Sequence, residues 1–136
     1  MKNLLKNALY LSILTGVFLV YSQNLMAQNA WNAPAKAVSV ANPIKSSPAS
    51  IAAGKSLWTR HCQSCHGKTG MGDGSKAAQL KTEPGDFTIA KFQGQTDGSI
   101  FYKTMEGRED MPSFKKKIPD TDDIWNLVNF IRTLKK

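Results

Sequence analysis

Cys62-Gln63-Ser64-Cys65-His66 is the stretch that decides the fold of this chain. It holds both cysteines of the 136-residue sequence and one of its two histidines. On a helical turn, positions i and i+3 lie on nearby faces. Two thiols so placed can each add to one vinyl group of the same porphyrin, and His66 is then held over the iron. The covalent links give that histidine a high effective concentration at the metal. The spacing is the attachment pattern of a c-type haem.

Other uses of the pair fit less well. A disulfide between residues this close closes too short a loop to stabilise much. A thioredoxin-like thiol pair sits in a βαβ context, and the chain has no alternating strand pattern. A zinc site needs about four Cys or His ligands. His61, Cys62, Cys65 and His66 are too crowded to close one tetrahedron well.

Upstream, Ser47-Pro48 opens a helix, with serine at the N-cap and proline in the first turn. It should run through Leu57 and Trp58 into Cys62, with Gly54 and Trp58 on one face. A glycine there makes sense if another helix approaches closely. Residues 28–46, rich in Ala, Asn, Ser and Pro, predict a linker or wrapping arm, with Trp31 packed onto the domain. Met1 to Lys6 is a short basic segment, and Ala8 to Tyr21 an apolar run of 14 residues. That length suits a signal peptide over residues 1–27 better than a membrane span of about 20 residues. Leu25 is larger than the small residue usual before such a cleavage site, so an uncleaved N-terminal anchor is the second reading. The folded domain is expected over residues 47–136.

Downstream, Gly67, Gly70, Gly72 and Gly74 predict an irregular loop. No strand precedes them to support a nucleotide-binding turn. Thr82 to Gln95 also reads as loop. Asp97 is expected to cap a short helix carrying Ile100, Phe101, Thr104 and Met105, ended by Gly107. Glu109 to Pro119 is a loop with a Met111-Pro112 step. Asp120 or Thr121 caps the last helix, with Asp122 and Asp123 in its first turn and Ile124, Leu127, Val128, Ile131 and Leu134 as one apolar stripe. Arg132, Lys135 and Lys136 suit its C-terminal end. The fold class is all-α.

A second axial ligand follows by elimination. His61 adjoins Cys62 on the attachment side and cannot reach across a porphyrin. Met1 and Met26 fall in the leader. Met71 follows the motif by only a few residues, and Met105 fits an apolar helix face. Met111 lies in a loop stiffened by Pro112 and is the expected ligand, with Met105 and Met71 as the alternatives.

From Ser50 to the C-terminus the chain resembles a class I (monohaem) cytochrome c. Cys62-X-X-Cys65-His66, Gly67-X-X-Gly70-X-Gly72-Asp73-Gly74 and Met111-Pro112-X-Phe114 carry the resemblance, with Ile124-Trp125-X-Leu127-Val128-X-Phe130-Ile131-Arg132 in the final helix. It implies a small fold of helices wrapped around one covalently bound haem c. In the family the C-terminal helix crosses the N-terminal one at a glycine–aromatic contact, which Gly54 and Trp58 match by position. With His66 and Met111 on the iron there is no open position, and the chain would carry single electrons between redox complexes rather than act as an enzyme. The alternative is a haem enzyme or gas sensor in which Met111 is not a permanent ligand.

The whole chain has 18 basic and 10 acidic residues, a formal charge of +8. Loss of residues 1–27 would remove Lys2 and Lys6, leaving 16 against 10, or +6. That balance suits acidic or membrane-bound redox partners. Lys68, Lys76, Lys81, Lys115, Lys116 and Lys117 are expected around an exposed haem edge. Nucleic acid is not an expected partner, because the lysines are scattered and the leader directs export. A monomer in the bacterial periplasm is expected, free or tethered through residues 1–27.

Overall fold

The two longest helices start and cross at particular residues of this computed structural model, which describes residues 31–136. The expected leader, residues 1–27, lies outside them. In chain order the helices are α1 (Ala35–Val38), α2 (Pro48–His61), α3 (Gln63–His66), a 3-10 turn (Ala77–Gln79), α4 (Ala90–Gln93), α5 (Asp97–Glu106) and α6 (Thr121–Arg132). The class is all-α: among the described residues the β-type pairing is an isolated bridge between Arg108 and Met111. No helix among them is long and apolar enough to cross a membrane.

α2 begins where the caps dictate. Ser47 is extended, its side chain accepts the N–H of Ser50 at 3.2 Å, and Pro48 fills the first helical position. α6 is capped by Asp120, whose carboxylate accepts the N–H of Asp122 at 2.9 Å. On α6 the stripe residues Ile124, Leu127, Val128 and Ile131 are buried, together with Trp125 and Phe130, while the helix ends at Arg132 and leaves Leu134, Lys135 and Lys136 beyond it, Leu134 half-buried.

These two helices cross at Gly54. A β-carbon on Gly54 would run into the carbonyl oxygen of Asn126 and lie 2.8 Å from Cβ of Phe130. The backbones therefore meet where no larger residue fits. One turn on, Trp58 is 1% exposed, with its ring 5.8 Å from that of Phe130. Its indole N–H donates to the Gly67 carbonyl at 3.1 Å, tying α2 to the turn that follows His66. The contact expected of Gly54 and Trp58 is thus present.

α5 is capped by Thr96 rather than Asp97. The Thr96 hydroxyl accepts the N–H of Ser99 at 3.2 Å. Asp97 sits one residue into the helix, where its carboxylate pairs with Arg132 at 2.6 Å. Arg132 also donates to the carbonyls of Gln93 (2.8 Å) and Gln95 (2.6 Å). It joins α4, α5 and α6 rather than simply facing the end of its own helix.

Two short helical turns stand in segments expected to be irregular. α4 depends on tertiary partners: Phe92 stacks on Phe87 at 3.9 Å, and the Gln93 side chain donates to the carbonyls of Phe87 and Ile131. α1 packs against α5. Between α1 and α2 the chain is bound to α6 through two asparagines. Asn42 donates to Asn129 Oδ1 (2.9 Å), and buried Asn129 donates to the Ile44 carbonyl (3.0 Å) and to Ser50 Oγ (2.7 Å). A buried amide left without these partners costs about 1–3 kcal/mol, so this network fixes where residues 42–44 lie.

Candidate haem site

Cys62 joins α2 to α3, ending one and capping the next. The N–H groups of Cys65 and His66 both donate to its carbonyl, at 3.1 and 2.9 Å, so the motif is one helical turn. The carbonyls that this turn leaves without helical partners are taken by the glycine-rich loop. Gly72 N–H donates to His66, Gly74 to Cys65 and Lys76 to Ser64, at 2.9, 3.2 and 2.8 Å. The loop runs back along the motif and satisfies a short helix's orphan acceptors.

Both cysteines are free thiols, Cys62 buried and Cys65 half-buried. Burial first, and the neighbouring Cys65 second, push the Cys62 thiol up to about 12. A thiol–disulfide exchanger works through a thiolate of depressed pKa, so this environment disfavours that use. The two histidines diverge. His61 packs its ring 6.0 Å from Phe114, while His66 lies 4.5 Å from Phe87 and 5.8 Å from Trp58. They do not converge on one metal ion.

His66 is held among aromatic rings. Its Nδ1 is fully buried, without a hydrogen bond of good geometry. Desolvation lowers its pKa to about 4, against a smaller upward pull from the Pro84 carbonyl. The imidazole is therefore neutral at pH 7, the form that binds metals.

Met111 belongs to a second buried cluster, of Phe114, Ile118 and Ile124, against which Leu57, Phe101, Met105 and Met111 pack. Leu57 and Phe101 also pack against the larger cluster that contains Trp58 and Cys62. The Met111 loop turns over Gly107, at φ 68°, where a β-carbon would lie 2.5 Å from the Met111 carbonyl oxygen and from the Ser113 nitrogen. Met71 stands apart, 44% exposed, with its sulfur 3.5 Å from Lys136 Nζ. Of the three candidate methionines, Met105 and Met111 reach this cluster and Met71 does not.

Residues 49–131 match the family model of cytochrome c oxidase, cbb3-type, subunit III. The chain belongs to this cytochrome c family. Among solved structures, it is similar to a chain of the Kuenenia stuttgartiensis reducing HAO-like protein complex Kustc0457/Kustc0458. That match has 29% identity and a TM-score of 0.64, and covers 73% of this chain and 49% of that one. The cytochrome thus spans about half the length of that structure. It is also similar to the KustC0563 c-type cytochrome, at 27% identity and a TM-score of 0.53, covering 61% of this chain and 98% of that one. No curated protein matches it.

A cytochrome c domain implies haem c and a haem-based carrier of electrons, and the residues present fit that group. The cytochrome offers two free thiols on one helical turn. The adjoining imidazole is held among aromatic rings and is neutral at pH 7. Two thioether-capable residues, Met105 and Met111, pack in the apolar second cluster.

Phe87 and Pro84 were legible only as parts of a loop. The bond from Phe87 N–H to the Gly70 carbonyl (2.7 Å) brings them to His66. Local spacing carries no sign of that contact.

Proposed function

We propose that this cytochrome is a single-electron carrier that shuttles electrons between redox complexes. One haem c is bound covalently through Cys62 and Cys65, with His66 and Met111 as its axial ligands. Bound there, the haem would supply a centre that takes up and releases one electron. His66 supplies a neutral nitrogen. Phe87 and Trp58 fix its ring and exclude water from that side. Met111 supplies a thioether, a ligand that raises the potential. Held by both residues, the iron would have no open position, and such an iron transfers electrons rather than activating oxygen or peroxide. The observation that carries this reading is the motif turn itself: two free thiols on one helical turn, directly followed by an imidazole that is neutral at pH 7.

Intact-mass measurement and a redox titration of the purified holoprotein test it. The expected outcome is one haem per chain that survives denaturation, and a single transition that follows a one-electron Nernst curve. Haem extracted by denaturation, or a second transition, would refute it.

Export to the periplasm, through cleavage or anchoring of residues 1–27, is part of the proposal and rests on the leader pattern. So are acidic or membrane-bound redox partners. Lys68, Lys76, Lys81, Lys115, Lys116 and Lys117 are all exposed. Exposed charges that steer a partner act through a field that salt screens, over about 8 Å at physiological ionic strength. The electron-transfer rate with a physiological partner should fall steeply with added salt. A flat dependence removes the steering role.

A further inference from the structure

The turn that precedes Met111 is built with more than a short loop needs. Arg108 and Met111 exchange two backbone hydrogen bonds, of 2.8 and 2.9 Å, which leaves Glu109 and Asp110 as a two-residue tip. Glu109 has φ 54°, and no other described non-glycine residue has a positive φ. Side chains avoid that left-handed region unless the surroundings hold them there.

The surroundings do so through both carboxylates of the tip, which reach the same place. Asp110 Oδ2 accepts the backbone N–H groups of Lys81 (2.7 Å) and Thr82 (3.1 Å). Glu109 Oε2 accepts the Thr82 hydroxyl at 2.6 Å. The partners are 27 to 29 residues apart in the chain and exposed, so core packing does not bring them together. From Thr82 the chain continues to Phe87, whose ring lies 4.5 Å from that of His66. The clasp thus joins the loop on the His66 side to the loop that carries Met111.

We propose that Asp110 is a positioning residue for the sixth ligand: by holding the backbone N–H groups of Lys81 and Thr82, it keeps the Met111 turn closed and the iron inaccessible to other ligands. This rests on Met111 being that ligand. The stretch from Arg108 to Pro119 has no helix of its own, and such loops open at low free energy. An ionised carboxylate accepting two N–H groups is a strong tether for its size. Among the described residues the backbone bonds of Met111 go to Arg108, so the turn moves as a unit when the tip is released.

The test is titration of the oxidised holoprotein with imidazole, an external ligand that binds only when Met111 leaves. Its apparent affinity scales with the open fraction, so a tenfold rise in that fraction tightens binding tenfold. Asp110→Ala should bind imidazole about tenfold tighter than wild type or more. Asp110→Asn keeps an acceptor oxygen without the charge and should fall between wild type and Asp110→Ala. Asp120→Ala removes a helix cap away from the clasp. It should lower the melting temperature without tightening imidazole binding. The proposal is overturned if Asp110→Ala binds imidazole no tighter than wild type, or if Asp120→Ala tightens binding as much. Met111→Ala, measured alongside, separates this failure from failure of the ligand assignment. If Met111→Ala binds much tighter while Asp110→Ala does not, the ligand stands and the clasp falls. If Met111→Ala binds no tighter than wild type, the ligand assignment fails and the clasp with it.

Discussion

Met111→Ala should abolish the sulfur-to-iron charge-transfer band of the oxidised holoprotein. It should also lower the reduction potential by on the order of 0.1–0.3 V, part of the roughly 0.8 V that axial ligands span. The argument starts from the elimination among methionines. Met71 lies at the surface, 44% exposed, and Met105 and Met111 share the cluster of Phe114, Ile118 and Ile124. Met105 belongs to a regular helix, and its carbonyl accepts the Ser113 hydroxyl at 2.7 Å. Met111 sits in a turn whose backbone is bonded on both sides to Arg108 and whose tip is tethered to another loop. Both thioethers pack in that cluster, and Met111 is the one whose turn is tethered to the loop that leads to Phe87 beside His66. Alanine there leaves the sixth position to water or an added ligand. It also removes a partly buried side chain, so the melting temperature should fall as well. Near-infrared spectroscopy and a redox titration read the effect. If the band persists in Met111→Ala and disappears in Met105→Ala, the ligand is Met105.

The largest expected effect on stability is at Gly54. Gly54→Ala places a β-carbon 2.7 Å from the Asn126 carbonyl carbon and 2.8 Å from Phe130 Cβ, and closer still to the Asn126 oxygen. Overpacking a well-filled contact costs about 1–3 kcal/mol. The clash here is with backbone, which places it at the upper end. Alanine recovers about 1 kcal/mol of helix preference over glycine. The balance is a loss of about 2 kcal/mol, or roughly 8–16 °C in the melting temperature of a domain this size. Thermal unfolding of the holoprotein measures it. A melting temperature equal to or above that of wild type would show that the helices do not meet at Gly54. Gly54→Leu should prevent the two helices from docking at all.

How much of this was legible in the sequence depended on whether the cause was local. Ser47 and Asp120 act on N–H groups two or three residues ahead, so their caps could be read directly. The attachment motif is one turn of chain, and its chemistry is contained in its spacing. Gly54 was readable because a glycine inside a helix needs a reason. The choice between Thr96 and Asp97 was not local. Both can cap, and Arg132, 35 residues on, takes Asp97. α4 forms because Phe92 finds Phe87 and Gln93 finds Ile131, which no periodicity announces. The same holds at the candidate site. Cys62, Cys65 and His66 declare themselves, whereas Phe87 beside His66 and Asp110 beneath Lys81 come from folding of distant loops.

The central claim is an iron closed by His66 and Met111. Its most direct test is to expose the reduced wild-type holoprotein to carbon monoxide at neutral pH while recording the visible spectrum. The account predicts no change, because neither axial position is free. Ready formation of a carbon monoxide adduct would contradict it and point to a haem enzyme or gas sensor instead.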